Sequence, residues 1–281
     1  MIIQLCILGV LILVLVLIWM IAPRRPSKDM KKLFKEQKFA HRGLYNNQTG
    51  IPENSMSAFR RAIEKGYGIE IDVRLTKDGV PIIFHDGFLR RMCNDARPPE
   101  MLTIDEIKKL RLLNTEETIP TLEEFLQLVQ DKTNVLVEFK TGLPGGTVNT
   151  LCQTVMDMID RFPCNYVIES FDYSILEWFR THRPQVMRGQ LSMGFYCYEL
   201  ALGKTIARSI PLHRRLMISW LLYNYLGRPH FISYRYQDAK LAFSICRRMG
   251  AMTSAWTVDR KEIVPAIEKK FDNIIFEKFE A

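Results

Sequence analysis

The sequence predicts an α/β protein preceded by one apolar segment. Three observations carry that prediction. Short β-branched runs alternate with amphipathic ones from residue 38 onward. The chain has 281 residues, enough for one closed barrel of about 250 residues and a short appendage. Residues 2–22 hold no charge, and Gln4 is their one strongly polar side chain.

Composition narrows the class. Charged residues make up 25% of the chain, an ordinary globular share, and the net charge of +8 favours anionic partners. There is no zinc-spaced Cys/His set and no aromatic nucleic-acid signature, so a membrane surface or a phosphorylated substrate suits the charge better than nucleic acid. The six cysteines are scattered, without disulfide or metal-knuckle spacing, which points to a reducing compartment.

Residues 2–22 are long enough to span a bilayer, which needs about 20 residues. A cleaved leader would want a basic start, a shorter apolar core and a small-residue cleavage site, and none is evident. The expectation is a transmembrane anchor over 1–23 and a basic juxtamembrane linker over 24–37. Arg24, Arg25, Lys28, Lys31, Lys32 and Lys35 follow the span, and only the α-amine precedes it. Positive residues stay cytoplasmic, so the protein is expected to be single-pass with residues 38–281 in the cytoplasm.

Phe39–Arg42 reads as the first strand. Pro52-Glu53-Asn54-Ser55 reads as a helix start, with Asn54 or Ser55 as the cap, and Gly66 stops that helix. Tyr67–Leu75 alternates and is the second strand. Lys77-Asp78-Gly79 is a turn, and Val80–Phe84 returns as a short strand. Residues 87–117 are less regular and read as a small insertion. An amphipathic helix follows through Val129, then a strand over Asn134–Lys140. The Gly/Pro loop 141–146 precedes a helix to about Arg161. The remaining strands fall at Val167–Phe171, Val186–Leu191, His230–Tyr236, Met252–Val258 and Asn273–Phe276, with helices over 174–180 and 238–249. Residues 196–227 mix Trp220, Leu221 and Tyr223 with Lys204, Arg208, Arg214 and Arg215. That segment reads either as a barrel helix or as an interfacial one lying on a bilayer.

The chemistry starts at Glu70 and Asp72. Residues i and i+2 of a strand project to one face, so the two carboxylates stand together. They repel unless a proton or a cation sits between them, and hard oxygen ligands suit Mg²⁺ or Ca²⁺. Spacing alone equally allows an edge strand with two solvated acids. His41 and His85 each end a strand-like run. Two histidines around a carboxylate pair suggest acid–base chemistry beside a metal. Glu138 and Lys140 also share one strand face, where a plain ion pair is the simpler account.

The motifs HRG (41–43), PENS (52–55), EID (70–72), KDG (77–79) and HD (85–86) occur in this order. VEFK (137–140), SFD (170–172) and AWTVD (255–259) follow. Together they resemble the glycerophosphodiester phosphodiesterases over roughly residues 38–277. The resemblance implies a TIM (β/α)8 barrel with a small insertion after the second strand. It also implies a divalent cation, and hydrolysis of glycerophosphodiesters to sn-glycerol 3-phosphate and an alcohol. It makes Glu138 the third metal carboxylate beside Glu70 and Asp72. Lys140 becomes a phosphate contact and Trp256 the lining of the glycerol end of the pocket. In such a site Arg42 and Lys140 add fixed positive charge, and His41 and His85 divide the acid and base roles. The family often ends its last strand with an acid-tyrosine-proline sequence; here Phe276-Glu277-Lys278-Phe279 stands instead. Two alternatives remain open: a lysophospholipase D-like activity on membrane lysophospholipids, and a catalytically silent barrel that binds lipid headgroups.

Overall fold

The computed structural model describes residues 1–141, 147–197, 210–239 and 241–281. Among them, eight parallel strands close into a barrel. In ring order these are β1 (Phe39–Ala40), β2 (Gly68–Leu75), β4 (Val135–Phe139), β5 (Tyr166–Ser170), β6 (Arg188–Ser192), β7 (Phe231–Arg235), β8 (Met252–Val258) and β9 (Asn273–Phe276). β9 returns to β1, and β1 pairs with β2. The short returning strand β3 (Pro81–Ile83) is antiparallel to β2 and stands outside the ring. The predicted barrel is therefore present.

Alternation along the strands builds two layers. Ile69, Ile71 and Val73 of β2 join the outer core with Phe59 and Phe125 from the surrounding helices. Glu70 and Asp72 project the other way, into the barrel. The inward positions at the N-terminal ends of the strands are apolar: Phe39, Leu136, Val167, Phe231, Met252 and Ile275 form a separate cluster. Two glycines make room for its rings. A Cβ on Gly189 would lie 2.1 Å from the Phe231 ring, and one on Gly68 would lie 2.7 Å from the Phe39 ring.

Where the sequence suggests a basic linker over 24–37, the structure has a helix, α2 (Lys28–Glu36), capped by Ser27. Met30, Leu33 and Phe34 form one face of it, a helical spacing set among lysines. Phe34 plugs the lower end of the barrel, its ring 4.6 Å from that of Phe231. Burying one such side chain stabilises the fold by about 1.5–3 kcal/mol. Ahead of it, α1 (Ile2–Ile21) stands exposed along its length, and only Ile21 is buried.

The insertion follows the β2–β3 hairpin. It carries its own core of Phe84, Leu89, Met92, Leu102, Ile107 and Leu112 against Ile82 and Ile119. In segment 196–227, Lys204, Ile206 and Arg208 lie outside the described residues. The described part forms the helices Leu212–Ser219 and Asn224–Gly227. Tyr223 stacks at 4.0 Å on Tyr173 of the helix Tyr173–His182, as a barrel helix does. Leu212, Leu216 and Trp220 remain exposed on the outer side. Some strand edges differ from the sequence reading by a residue or two. Val186 and Met187 are buried ahead of β6, so the apolar run begins before the hydrogen-bonded ladder does.

Candidate active site

The C-terminal ends of the strands hold the buried charge. The register pairs Asp72 with Glu138, and Glu138 with Glu169, on three neighbouring strands. One oxygen from each of Glu70, Asp72 and Glu138 lies within 4.8 Å of the others, and all three residues are buried. Glu70 Oε1 has no hydrogen-bond partner. Asp72 Oδ1 has none either, and three carboxylates with two such oxygens fit a divalent cation of the Mg²⁺ or Ca²⁺ kind.

The titration behaviour follows from this crowding. Burial, then the charges of Asp72 and Glu138, pushes Glu70 well above the usual carboxylate range. Burial also raises Glu138. Burial acts on Asp72 in the same sense, but Lys140, His85 and Arg42 overcome it and hold that group well below its ordinary value. One acid in the set thus stays ionised while its neighbours resist ionisation without a cation.

Cations ring the acids. Lys140 is ion-paired with Glu138, and its Nζ also stands 3.1 Å from Asp72 Oδ1, outside hydrogen-bonding alignment. Arg42 has a left-handed backbone, φ 56°, and its N–H donates to Glu70 Oε2 at 2.9 Å. Its guanidinium donates to Glu53 and stands 3.5 Å from Asp72. Asn54 is left-handed as well, and its amide donates to Asp72 Oδ2 at 2.9 Å. Ser55, and not Asn54, caps the helix Met56–Glu64.

Both histidines are braced. His41 Nδ1 lies 2.8 Å from Glu277, which also accepts from the Tyr45 hydroxyl. His85 Nδ1 lies 2.7 Å from Asp86, itself held by Arg91. A proton on each Nδ1 suits these carboxylates and leaves each Nε2 as a free base. Burial lowers the pKa of His41 and takes that of His85 down to about 4, with Arg42 and Lys140 respectively adding to the effect.

Trp256 stands on β8, further round the ring. Its Nε1–H donates to the Ser233 carbonyl, and its ring meets Phe171 edge-on. The structure therefore gathers Glu70, Asp72, Glu138, Arg42 and Lys140 directly, sets the two histidines beside them, and leaves Trp256 on another wall.

Sequence reasoning missed several residues here. Glu53 is a buried hub that binds both Arg42 and Arg91. Glu169 is buried, its pKa raised well above the usual range by burial and by Glu138. Its signal was available: Val167 and Glu169 repeat the apolar-then-acid pattern of Leu136 and Glu138. Glu277, which stands in the stretch that departs from the family's usual ending, is the brace of His41.

A barrel mouth with three converging carboxylates ringed by cations suits an anionic substrate held with the help of a divalent ion. The model of the glycerophosphoryl diester phosphodiesterase family matches residues 41–279, and the chain belongs to that family. It is accordingly a phosphoric diester hydrolase, in a family that is generally dependent on a divalent metal. A glycerophosphodiester phosphodiesterase from Caldanaerobacter subterraneus is 31% identical over 233 residues, covering 79% of this chain and 86% of its own. One from Bacillus altitudinis is 34% identical over 169 residues, 55% of this chain and 66% of its own. Among solved structures, a phosphodiesterase from Oleispira antarctica in complex with the product sn-glycerol-3-phosphate has a TM-score of 0.66. It is 20% identical and covers 86% of this chain and 92% of its own. The Thermotoga maritima glycerophosphodiester phosphodiesterase has a TM-score of 0.62 at 24% identity, with 85% and 92% covered.

Proposed function

We propose that this chain hydrolyses water-soluble glycerophosphodiesters at the barrel mouth. Glu70, Asp72 and Glu138 hold a divalent cation, Mg²⁺ or Ca²⁺, and His41 and His85 move the protons. The convergence of three buried carboxylates, two of their oxygens without a hydrogen-bond partner, carries this reading. When bound, the cation supplies Lewis acidity at a phosphoryl oxygen.

The chain's own residues do the rest. Arg42 and Lys140 give fixed positive charge to a phosphate that gains negative charge as it reacts. One histidine takes a proton from the attacking oxygen at Nε2; the other enters the step protonated on both nitrogens and gives its Nε2 proton to the leaving alkoxide, so one imidazolium forms as the other is discharged. Glu277 and Asp86 steady the imidazolium on each side. Trp256 offers an apolar wall for the glycerol end. The bound product of the Oleispira antarctica phosphodiesterase supports a glycerol phosphate product here.

A lysophospholipid is the second substrate class, supported by the exposed Leu212, Leu216 and Trp220. The silent headgroup binder is set aside, because the family is enzymatic. Residues 1–23 act as a retained single-pass anchor, with the barrel on the cytoplasmic side by the charge rule. Digestion of the barrel by protease added outside intact cells would overturn that topology.

The functional test offers glycerophosphocholine and a lysophospholipid side by side to detergent-purified full-length protein. Release of glycerol 3-phosphate from the first supports the reading. Turnover of the lysolipid alone replaces it with the second class, and turnover of neither rejects both.

A further inference from the structure

Residues 19–25 are not a free tether. They are fastened to the loops that lead into β7 and β8. The Asn224 amide donates to the Ile21 carbonyl at 2.9 Å, and the Cys246 thiol lies 3.3 Å from the same oxygen. Arg228 donates to the Trp19 and Ala22 carbonyls at 2.8 and 2.9 Å, with its guanidinium 4.9 Å from the Trp19 ring centre. The Arg24 N–H donates to the Pro229 carbonyl, and Arg25 Nε to that of Met249. The Ile21 side chain is buried in the main core. A helix C-terminus leaves its last carbonyls open, and here the barrel satisfies them. A leader that is cut away has no use for such a seat.

Every one of these partners lies at the N-terminal end of the barrel strands, opposite the carboxylates. That end also gathers positive charge. Lys31 and Lys32 face outward from α2, Arg247 and Arg248 end the helix before β8, and Lys269 and Lys270 precede β9. All six are exposed, and none has an ion-pair partner among the described residues. Acids here are largely engaged: Asp272 with Lys35, Glu268 with Lys38, Asp160 with Arg183. Asp29 and Glu36 on α2, Glu64 ahead of β2 and Asp131 ahead of β4 have no ion-pair partner among the described residues and are left to oppose them.

Where α1 meets the barrel, arginines gather without a carboxylate. Arg180 donates to the Tyr225 and Leu226 carbonyls, and Arg188 to that of Gly227. Arg188 is fully buried with Nη2 unpartnered. An apolar helix of bilayer length rising from a cationic face matches one partner on both counts, a bilayer with anionic headgroups.

We infer that the lower, N-terminal face of the barrel is the membrane-facing side, seated by residues 19–25 on an anionic leaflet, so that the catalytic mouth opens away from the bilayer into water. Substrate then arrives from the aqueous phase. That makes a lysophospholipid embedded in the same membrane the poorer substrate; this last consequence alone rests on the functional reading above.

The test uses the full chain reconstituted into vesicles of phosphatidylcholine and phosphatidylglycerol. Cys6, Cys93, Cys164 and Cys197 are replaced by alanine, and a donor dye is attached through Lys32→Cys or Met101→Cys. Met101 is exposed in the insertion, beside the C-terminal end of β2. Lipids with labelled headgroups accept the energy. Strong transfer from position 32 and weak transfer from 101 is the expected result. Equal transfer, or stronger transfer from 101, overturns the orientation. Transfer from 32 should fall in phosphatidylcholine alone, and an unchanged value overturns the role given to anionic headgroups. The intact mass of membrane-extracted protein gives a separate arm. A chain that retains residues 1–22 supports the seated helix, and a chain cut ahead of Pro23 overturns it. None of these readouts depends on hydrolysis, so they stand or fall apart from the assigned activity.

Discussion

The two ends of this barrel are built on opposite principles. At the lower end Phe34, Phe39 and Phe231 fill the interior, glycines open space for two of these rings, and helix carbonyls meet donors. At the upper end the same strands carry four buried acids, Glu70, Asp72, Glu138 and Glu169. Packing is completed at one end and withheld at the other. The lesson is that the lower end supplies stability that the upper end spends on holding charges in place.

That contrast predicts which mutations separate activity from stability. The largest effect falls at the upper end. Glu70→Gln or Asp72→Asn should lower turnover by at least about 10³-fold, the several kcal/mol a Lewis acid contributes. Thermal melting of metal-free Glu70→Gln should match or exceed that of metal-free wild type, because burial and the charges of Asp72 and Glu138 disfavour that carboxylate, whereas metal-free Asp72→Asn should melt lower, because Lys140 and Arg42 lose the charge they face. A clear loss of stability in Glu70→Gln would blur the distinction between the ends.

His41→Ala and His85→Ala should each cost on the order of 10²-fold or more in kcat with the fold intact. Activity within a few-fold of wild type would reject the acid–base role. Glu277→Gln should cost less, about 10-fold, and shift the pH profile of kcat while KM holds, because Glu277 positions His41 without touching substrate. An unaltered profile would leave Glu277 a purely structural acid.

At the lower end the pattern reverses. Phe34→Ala should destabilise the protein by about 3–5 kcal/mol in denaturant titrations, while activity per folded molecule stays near wild type. The smallest effect is one of pH. His230 lies at this end, where burial, then Arg188 and Arg24, lowers its pKa from 6.5 to about 3. As pH falls, the unfolded chain takes up this proton first. The contribution of neutral His230 is therefore complete above about pH 6.5 and is lost on acidification toward pH 3. His230→Gln should flatten the melting temperature across that window, and an equally steep decline would assign the acid sensitivity elsewhere.

Much of the upper end was legible in sequence because strand alternation and motif spacing are local. Glu70 and Asp72 share a face by their period, and the pairing of Asp72 with Glu138 follows from the parallel register of adjacent strands. Contacts that join distant parts of the chain were hidden. Glu277 reaches His41 across 236 positions, and Asn224 reaches Ile21 across 203. The α2 plug was hidden for another reason. Its lysines dominate the composition of 24–37, and one buried face of Met30, Leu33 and Phe34 is a small signal beside them. The insertion was legible as an interruption, but not the core it packs for itself.

We propose that the three carboxylates hold the cation on which hydrolysis depends. The most direct test is activity on glycerophosphocholine after chelation, with Mg²⁺ or Ca²⁺ titrated back into wild type and Glu138→Gln. No turnover after chelation and saturable recovery in wild type are the expected results, with a much higher metal requirement, or no recovery, in the variant. Full turnover in chelator, or the same metal titration for both proteins, would contradict the proposal.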